Sequence, residues 1–346
     1  MTRILKTEFG TTPHIEGVEP SAALPGGEIE IQGSNLGSLA WRRPVAMLGE
    51  LAAPVLLSRS KRLLLRIPDE AESGQLRVLQ NGAQSNTVEV EVGNLLTSGV
   101  HAVGNAVTDP EGNVYVTFSG QRGQETPVSV FRIERDGELR PFVSGIMNAT
   151  GLAVDAHGYL YVSSRHEGTV YRVSPAGASS VYAEGMGVAT GLAFDAEQNL
   201  YVGDRSGTIF KIAPDRQIFV FATLEPSVAA YHLAFGLDGT LYVSGPTTSS
   251  FDSIHAIDRD GNTQPLYRGL GRPQGLAVDI AGSVYVAASL HGRRGVVRIA
   301  NDSKASLVIA GSGMIGFSFA PGGNALITTS TAVYHVALGV EGWRVF

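Results

Sequence analysis

One recurring phrase constrains the fold of this chain more than any other feature. It runs Gly-Leu-Ala-Val/Phe-Asp, then a short turn, then Leu/Val-Tyr-Val. Full copies stand at Gly151–Asp155 with Leu160–Val162, at Gly191–Asp195 with Leu200–Val202, and at Gly275–Asp279 with Val284–Val286. Weaker copies stand at Asn105–Asp109 with Val114–Val116, His232–Gly236 with Leu241–Val243, and Gly316–Ala320 with Ala325–Ile327. Anchored at positions 109, 155, 195, 236, 279 and 320, the spacings are 46, 40, 41, 43 and 41 residues. Each copy continues into a third alternating run, such as Thr169–Val173 or Thr208–Ile212, and a fourth, such as Ser180–Ala183 or Gln217–Phe221.

Short runs that alternate in polarity, separated by Gly, Asp and Ser turns and lacking any helical period, form antiparallel strands. Four such strands at a repeat of about 42 residues make a propeller blade. The spacing therefore predicts a six-bladed β-propeller of four-stranded blades over residues 94–346. Small, smooth side chains open each copy because the first strand lies next to the crowded axis. The ring needs a strand from one of its ends to complete the last blade, and two runs qualify: Asn94–Ser98 and Gly342–Phe346. Either makes loss of the C-terminal segment costly.

Residues 12–93 read differently. Short runs at Glu28–Gln32, Val45–Leu48, Ala53–Leu57, Arg62–Arg66, Gln75–Leu79 and Thr87–Val92, with turn signals at Pro25-Gly-Gly27 and Asn81-Gly82, predict an immunoglobulin-like sandwich without a cysteine pair. Its opening, Pro13–Pro20 followed by Pro25-Gly-Gly and Gly33-Ser-Asn-Leu-Gly37, closely resembles an IPT/TIG domain. The expected chain is all-β: an N-terminal extension at 1–11, the sandwich at 12–93, and the propeller at 94–346.

Composition narrows the chemistry. With no cysteine there are no disulfides, thiolate metal sites or cysteine nucleophile. The net charge is −6, and no block of like charge appears. Some IPT/TIG domains bind DNA, but residues 1–93 carry 9 basic and 11 acidic residues, and Arg42, Arg43, Arg59, Lys61 and Arg62 form two short groups without aromatic interleaving. A phosphate-tracking surface needs more positive charge than that. No nucleic-acid partner and no membrane insertion are expected. As written the chain has no signal peptide and reads as cytoplasmic; a mature secreted or periplasmic protein begun at an added Met would read the same.

The repeat resembles NHL-type propellers and the gluconolactonase/regucalcin-like family of metal-dependent lactonases, over roughly residues 95–346. That resemblance implies a divalent cation at one channel mouth, held by carboxylate and amide groups just before the inner-strand Gly and acting on a lactone carbonyl. The equivalent positions here are Gly104, Thr150, Thr190, Tyr231, Gln274 and Ile315, none of them a carboxylate. No cofactor and no metal ligand set are therefore expected; Ca²⁺ or Mg²⁺ is the ion the resemblance would allow. The inner-strand carboxylates Asp109, Asp155, Asp195 and Asp279 fit turns at the opposite mouth.

Asn105 and His232 break the pattern, standing where the other copies carry Gly. Tyr231 and His232 together are the candidate acid/base pair, and the only catalytic candidates. Loops after the second strands bring Arg165-His-Glu167, Asp204-Arg205, Ser249–Asp252, His291–Arg294 and the insertion Gln121–Glu125 to the same face. The expected ligand contacts are Asn105, Thr150, Thr190, Tyr231, His232, Gln274, Arg165 and Arg293. The expected function is recognition: a protein, peptide, glycan or small-molecule partner held at the mouth, in a chain that also suits a larger complex. The alternative is a lactonase-like or lyase-like enzyme using that mouth.

Overall fold

The computed structural model describes residues 12–37, 43–134 and 136–343. The extension 1–11, Arg42 and residues 344–346 of the terminal run lie outside the described residues. Every regular element among the described residues is a β-strand, and no helix is long and apolar enough to cross a membrane. The chain divides into two compact units: Met1–Gly93 with Val308–Ser312, and Asn94–Leu307 with Gly313–Phe346.

The first unit holds two antiparallel sheets. One runs His14–Glu19, Glu28–Ser34, Arg62–Arg66, Val55–Arg59; the other runs Val88–Val92, Gly74–Gln80, Val45–Leu48, Leu51–Ala53. Alternation sorts their side chains. Ile29 and Ile31 are fully buried, while Glu28 and Glu30 turn outward to pair with Arg66 at 3.1 Å and Arg62 at 2.6 Å. The run expected as one strand over Ala53–Leu57 is split between the sheets. Leu51–Ala53 pairs with Val45–Leu48 and Val55–Arg59 pairs with Arg62–Arg66. Pro54, which has no N–H to donate to a ladder, sits at the break.

In the second unit the repeat phrase becomes consecutive antiparallel runs of four strands. The first is Val107–Thr108, Val114–Thr117, Val130–Ile133 and Leu139–Val143; the second is Ala149–Val154, Leu160–Ser164, Thr169–Val173 and Ser179–Ala183. Ala189–Thr223 and His232–Leu270 repeat the arrangement, as do the strands from Leu276 to Ala310, the last of which, Ala305–Ala310, runs past the end of this stretch of the unit at Leu307. The last run is Met314–Ala320, Asn324–Thr329, Ala332–Ala337 and, from the start of the unit, Asn94–Ser98. Asn94 lies opposite His335 and Ser98 opposite Ala332 in an antiparallel pair. Of the two strands eligible to complete the ring, Asn94–Ser98 therefore does so.

Apolar clusters weld each sheet to the next. Leu152, Leu160 and Val162 pack with Tyr115, Val130 and Val143; Leu192, Leu200 and Val202 pack with Tyr161, Val170 and Ala183. The circuit closes where Leu326 and Val333 meet Val116 and Ile133. Second strands such as Leu160–Ser164 are buried along their whole length, and outer strands such as Ile218–Thr223 are largely exposed. The fold is a β-propeller, with inner strands around a central channel.

Candidate functional site

The inner strands end in two unlike mouths. At their C-terminal ends the repeat aspartates close turns. Asp195 accepts the Asn199 backbone N–H at 2.8 Å and the Asn199 amide at 2.7 Å, Asp109 treats Asn113 in the same way, and Asp279 accepts the Ser283 N–H at 2.7 Å. A tyrosine six residues on reaches back: Tyr115 donates to Asp109 at 3.0 Å and Tyr161 to Asp155 at 3.3 Å. Burial, then the aspartate charge, pushes these phenols above their usual range. These carboxylates are engaged by their own turns. Trp343 lies across the same end, lining an apolar cavity of about 180 Å³ with inner-strand residues that include Val107, Val154, Phe194, Val278 and Phe319. Its backbone N–H donates to the Val278 carbonyl at 2.8 Å.

At the N-terminal ends of the inner strands a cavity of about 370 Å³ opens. Thr150, Arg165, Thr190, Arg205, His232 and Gln274 contribute to its polar lining, together with His101 and Ser330. A smaller chamber of about 20 Å³, roughly the room one water needs, is lined by Asn105, Thr150, Tyr231 and His232. His232 borders both spaces.

Which of these groups can meet a ligand depends on what already holds them. The Thr150 hydroxyl donates to the Asn148 carbonyl at 2.8 Å. That of Thr190 donates to the Gly203 carbonyl at 2.8 Å and accepts the Tyr231 N–H at 3.0 Å. Asn105, just before the strand Val107–Thr108, bridges two others: its amide donates to the Leu276 carbonyl at 3.2 Å and its oxygen accepts the Phe317 N–H at 3.1 Å. A Cβ at Gly275 would lie 1.9 Å from that oxygen, so glycine is required beneath it. Asn105 is thus a brace within the ring wall, and the two threonines offer a ligand little.

The pairing of Tyr231 with His232 is not realised. Neighbours on a strand point to opposite faces. The Tyr231 ring packs among Tyr201, Leu233 and Val243, and its hydroxyl donates to the Glu225 carbonyl. Burial, with the charges of Glu225 and Asp204, pushes its phenol up to about 12. The His232 side chain turns to the channel; it is 6% exposed, and burial pushes its imidazole down to about 4. At neutral pH the ring is uncharged.

Arg293 is also placed elsewhere. The expected loop at His291–Arg294 is short, because Arg293 begins the strand Arg293–Ile299 and pairs with Leu290. It lines neither space at this mouth. Arg165 does reach the mouth, and with it comes Arg205, which the residues alone did not single out as a contact. The two stand three residues beyond Val162 and Val202, the same place in successive copies. Arg165 Nη2 donates to the Gly120 carbonyl at 3.2 Å; Arg205 Nε and Nη2 donate to the Ser227 and Val228 carbonyls at 3.4 and 3.3 Å. Asn148, likewise unforeseen, clamps the insertion beside them. It accepts the Gly123 N–H at 2.8 Å and donates to the Gly120 and Gln121 carbonyls at 3.0 and 2.8 Å. Its left-handed backbone, φ 49°, is a conformation asparagine tolerates better than most residues.

A divalent cation does not fit this lining. Such ions need several hard anionic oxygens, whereas the cavity has no carboxylate, its threonine hydroxyls are engaged, and two guanidinium groups add positive charge. Among the described residues no group of three or more His, Asp or Glu could hold a metal ion.

No protein-family model and no curated protein matches the sequence. Solved structures do match. A gluconolactonase from Xanthomonas campestris aligns with a TM-score of 0.57 at 18% identity, covering 70% of this chain and 88% of that one. An auxiliary nutrient binding protein from Bacteroides thetaiotaomicron aligns with a TM-score of 0.56 at 12% identity, over 94% and 98%. A streptogramin B lyase aligns with a TM-score of 0.52 at 11% identity, over 94% and 92%. What this chain shares with them is the β-propeller fold.

Proposed function

We propose that this chain is a recognition protein, built from an immunoglobulin-like domain of the IPT/TIG kind at 12–93 and a six-bladed propeller of the NHL or gluconolactonase-like kind at 94–346. It holds a small molecule, or the end of a peptide or glycan, in the mouth around His232. The nutrient-binding protein among the structural matches is in keeping with such a role. The observation that carries the reading is the hydrogen-bond inventory of the mouth. The oxygens that could have served a metal are engaged within the ring, and the groups left over belong to His232, Gln274, Arg165 and Arg205. Such groups bind and orient; they do not assemble a Lewis-acid centre.

A second reading keeps the mouth as a hydrolase or lyase centre, and His232 favours it, since a neutral imidazole facing a cavity can accept a proton. Against it, an imidazole pushed down to about 4 is a weak base at neutral pH, and the Tyr231 hydroxyl is turned away. Calorimetric titration with Ca²⁺, Mg²⁺, Mn²⁺ and Zn²⁺, paired with an assay of glucono-1,5-lactone hydrolysis, separates the two. Recognition predicts no saturable metal binding and no acceleration over buffer. Micromolar binding at one site together with turnover would overturn it.

A further inference from the structure

Among the described residues, no carboxylate in the lining of this mouth balances its positive charge. Arg165 and Arg205 both line the cavity, and neither forms an ion pair with a carboxylate among the described residues. Arg165 Nε is buried without a hydrogen-bond partner. The bonds each guanidinium does make run to backbone carbonyls, which position it without neutralising it. Arg122, on the insertion that Asn148 clamps, adds a third charge within reach of Arg165. Burial first, then the charges of Arg205 and Arg122, lowers the proton affinity of Arg165. Like charges gathered in a half-buried cleft repel one another and lose hydration, a cost that bound negative charge relieves. The chain as a whole carries −6, so this concentration runs against its overall balance.

We infer that the ligand of this mouth is a small organic anion, whose carboxylate or phosphate oxygens lie between Arg165 and Arg205 and whose remaining acceptors meet Gln274 and His232. This deepens the reading of the mouth as a recognition site and rests on it. The planar fork of a guanidinium matches two oxygens of either anion side-on, and the buried Arg165 Nε has no partner within the protein. The cavity of about 370 Å³ has room for a molecule of roughly sugar-acid size.

The test follows arginine Nε–H and histidine resonances by NMR while the full chain is titrated with D-gluconate, inorganic phosphate and, as the neutral comparator, D-glucose. Saturable shifts at Arg165 with gluconate or phosphate are expected, weakened by added salt and by about tenfold in Arg205→Gln, as loss of one charge-assisted contact implies. The tighter of the two anions identifies the group recognised. If glucose moves His232 as strongly as gluconate while Arg165 stays still, the mouth remains a ligand site and the anion inference falls. Failure of all three probes to move any mouth resonance would overturn both. A thermal midpoint within a few degrees of wild type confirms that Arg205→Gln folds; otherwise Arg165→Gln replaces it, with binding followed at Arg205 and His232.

Discussion

The two ends of the propeller channel are built from the same inner strands, yet their polar groups do opposite things. At the end that Trp343 lines, each repeat carboxylate meets donors from its own turn, as Asp195 does with Asn199. At the other end the threonines are engaged, while two arginines, a glutamine and a neutral histidine face a cavity. A group bonded to neighbours a few residues away contributes to stability; a charged group left over after the fold is complete is available to a ligand. The end richer in carboxylates is therefore the structural one.

Three measurements can break that contrast. The largest effect is expected for Asp195→Ala, which strips acceptors from the buried Asn199 N–H and amide. It should lower unfolding stability by about 2–3 kcal/mol, read by urea denaturation; a change below about 0.5 kcal/mol would deny that these turns hold the ring. Trp343→Ala comes next. Its half-buried indole covers the apolar end of the channel, and its removal should cost about 2 kcal/mol while leaving ligand binding at the far mouth unchanged. Weakened binding would show that the two ends are coupled.

The smallest effect concerns pH. The imidazole of His232 is pushed down to about 4 in the folded chain, against about 6.5 when unfolded. Below pH 6.5 the unfolded state takes up the proton first, so stability falls as pH drops from about 7 toward 4. Between pH 7 and 5.5 the wild type should lose about 1 kcal/mol more than His232→Gln. Parallel pH profiles would mean that the ring is hydrated rather than buried.

Much of the fold was legible because it is periodic. A spacing near 42 residues with small residues, Asp and Tyr-Val at set places can be read from the chain, and the aspartate turns are local bonds between residues four apart. The tyrosines that reinforce them were visible six residues on, although their contact was not. Arg205 carried a signal that went unused: it repeats Arg165 at the same register one copy later. The placement of Arg293 misled because loop length was judged from composition, and the ladder to Leu290 begins at once.

By itself the sequence determined the repeat, the turn chemistry and the lack of carboxylates before the inner strands, since these depend on neighbours along the chain. Tertiary structure alone decided that Asn94–Ser98 closes the ring, that Asn105 is a brace to Phe317, and that Tyr231 turns from the channel while His232 faces it. The reason is that a polar group is satisfied or left over only once partners some two hundred residues distant have arrived, as Asn105 and Phe317 do.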